Sequence, residues 1–382
     1  HGNGILQAMV LEPMKRMKEY GYSVCVLHCV RPSEKNDFYV MNRKAFPMLD
    51  IEEIEYVRRS KSAADYLRAI IDQLLLIKKV YWIFRRCEVV HVRGYSLVLI
   101  SWLISTITRK NFIFDPRGLF PEEAVFLKKI RHGSLKYKIL KWIEKAAVKQ
   151  CTSLICINEQ MKRYFMKEFG SEIAVKCVII PNCAAERDPL IQEKSFYDDK
   201  KLNLVYLGSA QSWHEIEYTL SLMQSISEKY MVNIYIITND VAEIEGKISH
   251  YAFQCPLKVY SVEHVNLHIE LNKMDIGFCF RSLDLISEVA FPVKFSDMLS
   301  SGVSVIYDSH IGSLSDYNDI GLHLPINRAD SSIANVLDSV DQHIANLLAH
   351  QYIKNRIIGE FNEKLSWGAH MEKLTSVYQI AR

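Results

Sequence analysis

Short runs of β-branched and aromatic residues alternate with longer stretches of helical period along this 382-residue chain, and the alternation occurs twice. Ile5–Tyr20 has helical period and leads to a strand-like Ser23–Val30. Ala63–Phe84 leads to Val89–Val92, and Ser96–Thr108 to Phe112–Phe114. Leu154–Ile157 reads as a strand, Glu159–Phe169 as a helix and Val178–Ile180 as a further strand. A polar, weakly periodic stretch follows over Ala184–Lys201. The pattern then resumes with Leu204–Leu207, helix Glu215–Glu228, strand Asn233–Ile237, helix His264–Leu271, strand Ile276–Phe280 and helices from Asp330 to Gly359. Parallel strands need crossover connections, and repeated βαβ units predict doubly wound parallel sheets. The chain is therefore expected to be α/β: an amino-terminal domain over 1–190, a linker over 191–201, a second domain over 202–365 and a terminal helix over 366–382. Ligands of such sheets bind at the carboxyl ends of the strands.

Size and charge agree with a two-domain division. A hydrophobic content of 49% is enough to fill two cores, and the length exceeds what one ordinary core holds. Residues 1–200 carry 34 Lys/Arg against 23 Asp/Glu, a net of +11, whereas residues 201–382 carry 13 against 21, a net of −8. Nine scattered cysteines form no CxxC pair, which predicts reduced thiols rather than a disulfide framework, and no His/Cys/carboxylate cluster has metal-ligand spacing. The longest apolar run, Ser96–Ile107, is short of the ~18 residues a membrane span needs. The glycine-rich turn His1-Gly2-Asn3-Gly4 has no strand before it, and the first strand of the amino-terminal domain is expected to be missing from this numbering.

The segment with most chemical content is Phe291–Ile306, FPVKFSDMLSSGVSVI. Pro292 suits a first helical turn, Gly302 a helix end, and Val303–Ile306 a buried strand. Lys294 and Asp297, three apart, fall on one face. A helix start carrying a lysine is a natural seat for phosphate, and a carboxylate one turn on can accept from a ribose diol.

That segment resembles the nucleotide-sugar site of family 4 glycosyltransferases (glycosyltransferase group 1), whose pattern there is Pro-x-Lys-x-x-Glu, a small-residue turn and a hydrophobic strand. Other segments resemble the family in the same order. Gly2-Asn3-Gly4 before an amphipathic helix is similar to its first loop, facing diphosphate and acceptor. FIFDPRGLFPEE (Phe112–Glu123) resembles a strand-end motif of bacterial members, and Val178–Asn182 carries the usual Ile-Pro-Asn. Leu204–Gly208 is similar to the first strand and glycine turn of the donor domain, and Ser366-Trp367 to the start of the terminal helix. The resemblance implies the GT-B fold: two Rossmann-like domains facing a cleft, with a terminal helix crossing back to the first. It implies a retaining, metal-independent transfer of sugar from a nucleotide-diphosphate sugar to a glycan or lipid-linked acceptor in bacterial surface polysaccharide synthesis, with no cofactor beyond the donor. Three positions depart from the family. Asp297 replaces glutamate. The residue eight before it is Val289, with Glu288 the nearest acid. Ser209, Gln211, Trp213 and His214 stand where an Arg and a Lys usually follow the donor-domain glycine.

The chemistry nominates specific side chains. Lys294 is the candidate stabiliser of the leaving β-phosphate, helped by Arg281 and by helix amides. Gly208, Ser209 and Pro292 would shape the donor pocket, and Asp297 would take the ribose. Glu288 contacts the transferred sugar or is a plain loop acid. Arg117 and Asp115, at a strand end, hold an acceptor phosphate or the donor sugar, or form a structural salt bridge and a turn; for Arg117 the expected partners are Glu122 and Glu123. Lys294 and Asp297 also have ordinary readings as exposed helix residues.

Lys128–Lys149 is strongly basic, with Glu144 its one acid. On a helix, Leu135, Ile139, Trp142, Ile143 and Ala146 share a face beside a stripe of Lys138, Lys141, Lys145 and Lys149. Such a helix either packs its apolar face on the sheet or rests on an anionic membrane. The expectation is a cytoplasmic protein at the inner face of the membrane. Nucleic acid is not an expected partner, since no aromatic platform interleaves the basic residues. Two alternatives stand beside a transferase: a non-catalytic GT-B partner of an active enzyme, and a nucleotide-sugar epimerase of the same fold.

Overall fold

Every strand pairing among the described residues is parallel. The structure, a computed structural model, describes residues 6–30, 44–55, 63–189, 201–312, 314–328, 333–350 and 353–382. Gly2, Asn3 and Gly4, and most of the expected linker, lie outside the described residues. The chain forms two units: Leu6–Ile157 with Met161–Ile180 and Met371–Arg382, and Pro181–His370 with Asn158–Gln160.

The amino-terminal unit begins with a π-helical turn (Gln7–Leu11) and α1 (Glu12–Glu19). It continues through β1 (Cys25–Val30), β2 (Asp50–Glu55), α2 (Ala63–Arg86), β3 (Val90–Arg93), α3 (Val98–Thr108), β4 (Phe112–Asp115), α4 (Phe120–Phe126), α5 (Leu135–Gln150), β5 (Ser153–Cys156), α6 (Glu159–Phe169) and β6 (Cys177–Ile179). The strands form a pair, β1-β2, and a sheet ordered β3-β4-β5-β6. β4 and β5 are buried at every residue, which is why they read as unbroken apolar runs in the sequence.

The carboxyl-terminal unit holds β7 (Leu202–Leu207), α7 (Ile216–Lys229), β8 (Val232–Ile237), α8 (Val241–Ile248), β9 (Leu257–Tyr260), α9 (His264–Leu271), β10 (Ile276–Cys279), α10 (Leu285–Glu288), α11 (Val293–Ser300), β11 (Ser304–Asp308), β12 (Leu324–Ile326), α12 (Ile333–Ala349) and α13 (Ile353–Lys364). Its sheet order is β12-β11-β10-β7-β8-β9. Numbered from β7, this is the doubly wound order 3-2-1-4-5-6, whose switch point lies between β7 and β10. Gly277 lets α11 close on that point, since a Cβ there would meet Met298 Sδ at 2.2 Å. The last helix, α14 (Trp367–Ala381), starts in this unit and ends in the other, where Tyr378 Oη bonds His91 Nδ1 at 2.8 Å.

Strands β2, β9 and β12 were not legible as strands. Each is an edge strand, and DIEEIE, LKVY and LPI carry the charges and proline that edges tolerate and centres do not. The stripe expected on α5 also needs correction. Lys138 and Lys145 are exposed, but Lys141 turns inward to Glu144 (2.5 Å) and Glu168 (3.4 Å), with Tyr164 Oη at 2.9 Å. Glu144 is fully buried, and pairing with Lys141 offsets the cost of its desolvation.

Candidate functional site

Cationic side chains cluster near the carboxyl ends of β7 and β10 within the carboxyl-terminal unit. Pro292 caps α11 from just outside the helix rather than lying in its first turn, and Lys294 is the second helical residue. Lys294 is not the exposed lysine that a helix start suggests: it is 7% exposed. Its Nζ lies 5.1 Å from the Tyr206 ring centroid and has no hydrogen-bond partner among the described residues. Burial, with Arg281 nearby, holds its pKa below the ordinary lysine value. A buried ammonium with no acceptor costs free energy that a bound anion would return.

Arg281 closes the pocket. Its backbone N–H donates to Asp308 Oδ2 (2.8 Å) and its Nε to Ser287 Oγ (3.3 Å), while the guanidinium lies 5.9 Å from the Trp213 ring. His214 completes the set. Burial, Lys294 and Arg281 together push its pKa down to about 2, so it is neutral in the free protein, and its buried Nδ1 has no partner among the described residues. The sequence reading treated Trp213 and His214 as the absence of two expected cations. The structure instead sets His214 beside Lys294 and Arg281. Gly208 and Ser209 form the turn leading there, and the Tyr206 hydroxyl donates to Ser209 O at 2.8 Å, so Tyr206 both shapes the turn and lies beneath Lys294.

Behind the pocket is a network that sequence reasoning missed. Asp308, fully buried at the end of β11, accepts from Arg328 Nε (2.5 Å) and Nη2 (2.9 Å). Arg328 also donates to Glu215 Oε2 (3.2 Å) and to the Arg281 carbonyl, and its guanidinium lies 4.7 Å from the Tyr218 ring centroid. Glu215 has φ 45°, a left-handed conformation unusual for a non-glycine residue. A second missed feature fixes the loop before α11. Asn158 Nδ2 donates to Val289 O and Ala290 O, both 3.1 Å, and Asn182 Nδ2 to Phe291 O at 2.5 Å. Only the Ile-Pro-Asn run offered a sequence signal for this.

Of the other nominated residues, Asp297, Asp115 and Arg117 have partners of their own. Asp297 shares its helix but faces different neighbours: His264 Nε2 is 3.8 Å from Oδ1, and burial raises its pKa against His264 and Arg187. Glu288 is exposed at the end of α10, and Val289 is buried. In the amino-terminal unit, Asp115 is fully buried and binds Arg117 Nε (2.6 Å), Arg93 Nη1 (3.1 Å) and His91 Nε2 (3.2 Å). Although burial alone would raise its pKa, Arg117 and Arg93 hold it well below the usual carboxylate range. Burial and Arg117, against Asp115, lower Arg93 to about 9. Arg117, with φ 59°, pairs with Asp115, two residues away.

Neither a protein-family profile nor a curated protein sequence matches the chain. Solved structures do. Anabaena Alr3699/HepE, determined with UDP and glucose, superposes with a TM-score of 0.69 at 10% identity, covering 99% of this chain and 96% of that one. A glycosyltransferase from Rickettsia africae gives 0.66 at 15% identity over 98% and 96%. WaaG, a glycosyltransferase of lipopolysaccharide biosynthesis, gives 0.61 at 10% identity over 92% and 99%. At these identities the likeness establishes the fold, which is GT-B.

Proposed function

We propose that this protein transfers a glycosyl group from a nucleotide-diphosphate sugar to a glycan or lipid-linked acceptor in the synthesis of a bacterial surface polysaccharide. The observation that carries the reading is the buried Lys294 ammonium, without a partner among the described residues, at the switch point of a doubly wound sheet. Arg281 and His214 beside it make the pocket suited to a diphosphate. Two solved neighbours support the same reading: a glycosyltransferase from Rickettsia africae, and Anabaena HepE, determined with UDP-glucose.

In this proposal the bond between the anomeric carbon and the β-phosphate oxygen breaks, an acceptor oxygen bonds to that carbon from the same face, and the acceptor proton passes to the departing phosphate. The reaction is retaining and metal-independent, with Lys294 and Arg281 meeting the charge that develops on the leaving group. Asp297 receives the ribose hydroxyls. Family membership, the hexosyl class of the transferred group and the polysaccharide product belong to the same proposal.

The test is a thermal-shift panel of UDP-, GDP-, ADP- and CMP-sugars on the wild type and on Lys294→Ala. One donor should raise the wild-type melting temperature and leave the variant unmoved. A flat panel on the folded wild type overturns the reading. One observation favours the non-catalytic partner as a second reading: Glu288 is exposed and Val289 buried where the family has its first acid. Donor binding without turnover in the presence of acceptor would select it.

A further inference from the structure

Helix α3 packs against α2 on one side and α5 on the other, and against β3 and β4 beneath. Their outward surface is unusual for a water-facing layer. On α3, Leu99, Leu103 and Ile107, spaced four apart, are 37%, 45% and 75% exposed. On α5, Leu135, Ile139 and Trp142 are 74%, 48% and 55% exposed. Trp142 meets Trp102 of α3 edge to face at 5.3 Å, joining the two stripes. Leu75 and Trp82 extend the apolar surface onto α2.

Among the described side chains of the three helices, the exposed charge has one sign. Lys78, Arg85 and Arg86 are exposed on α2, Arg109 just beyond α3, and Lys136, Lys138 and Lys145 on α5. Among the described side chains of the three helices, the only carboxylate is Glu144, which is buried. An ordinary solvated helix layer mixes both signs, and a large apolar patch on a monomer marks an interaction site. Exposed tryptophans and leucines flanked by lysines match the boundary of an anionic bilayer, where aromatic rings sit at headgroup depth and cations meet lipid phosphates.

We propose that α2, α3 and α5 together form a docking face for an anionic lipid surface. The face is independent of the donor pocket, so its test does not depend on the transferase reading. It also revises which lysines matter: Lys141 is tied up in the Glu144 network, and Lys138 and Lys145 face out.

The experiment is sedimentation of the full chain with vesicles of phosphatidylcholine alone or mixed equally with phosphatidylglycerol. Binding is expected to the mixed vesicles only and to weaken with salt. At about 1 kcal/mol per cation near the surface, Lys138→Gln with Lys145→Gln should lower partitioning about 30-fold. Trp142→Ser, at an exposed position, should reduce it with no change in the thermal melt. No binding to mixed vesicles overturns the proposal. So does binding unmoved by these variants, or a concentration-dependent dimer that Trp142→Ser dissolves, which would make the face an interface between copies.

Discussion

Replacing Lys294 with Met should raise the stability of the free protein and weaken its response to donor. Lys294 is 7% exposed, and its buried ammonium lacks an acceptor among the described residues. Removing an unsatisfied buried polar group returns about 1–3 kcal/mol. The lost contact with the Tyr206 ring, 5.1 Å away, takes back about 1 kcal/mol. A net gain near 1 kcal/mol corresponds to a rise of about 2–4 °C in melting temperature for a unit of this size. With donor the balance inverts. A charge-assisted bond to phosphate contributes about 1.5–3 kcal/mol, so the dissociation constant should weaken about 10- to 150-fold. Donor at 100 times the wild-type constant stabilises the wild type by about 2.7 kcal/mol and the variant far less. The assay is a pair of thermal melts, with and without the donor found by the panel. The variant should melt higher alone and lower with donor. The native pKa of Lys294 lies below its unfolded value, so the unfolded chain binds more protons between those values and wild-type stability rises with pH there. The advantage of the variant should therefore narrow at alkaline pH. A variant that melts lower without donor and keeps the full donor shift refutes the reasoning.

Asp115→Asn should destabilise the amino-terminal unit by about 3–5 kcal/mol in urea denaturation, because Arg93 and Arg117 would lose their shared buried counter-ion. Glu215→Gly should change stability by less than about 1 kcal/mol: relief of the left-handed φ of 45° offsets loss of the half-exposed pair with Arg328, and a larger loss in the melt would show that the pair dominates. His214 is held neutral when folded, with its pKa near 2 against 6.5 in the unfolded chain, so the unfolded state gains a proton as pH falls below 6.5. His214→Phe should remove about 1.4 kcal/mol of stability loss per pH unit between pH 6 and 4, read from urea midpoints across that range.

The sequence by itself determined the two-fold βαβ alternation, the buried central strands and the motif that opens α11, because buried parallel strands and helix caps leave local marks. Lys294, Pro292 and Gly302 were legible for that reason. What Lys294 faces was not. Tyr206, Arg281 and His214 come from three separate segments, and their approach depends on which strands are neighbours, a long-range property. The same holds for Asp115, whose partner Arg93 lies on the adjacent strand, and for Asn158, whose two acceptors are more than 100 residues away in the chain. The face of α5 was readable from its period, but only tertiary packing decided that Lys141 turns inward while Trp142 stays exposed, because Glu122, Glu144 and Glu168 converge on that lysine from three helices.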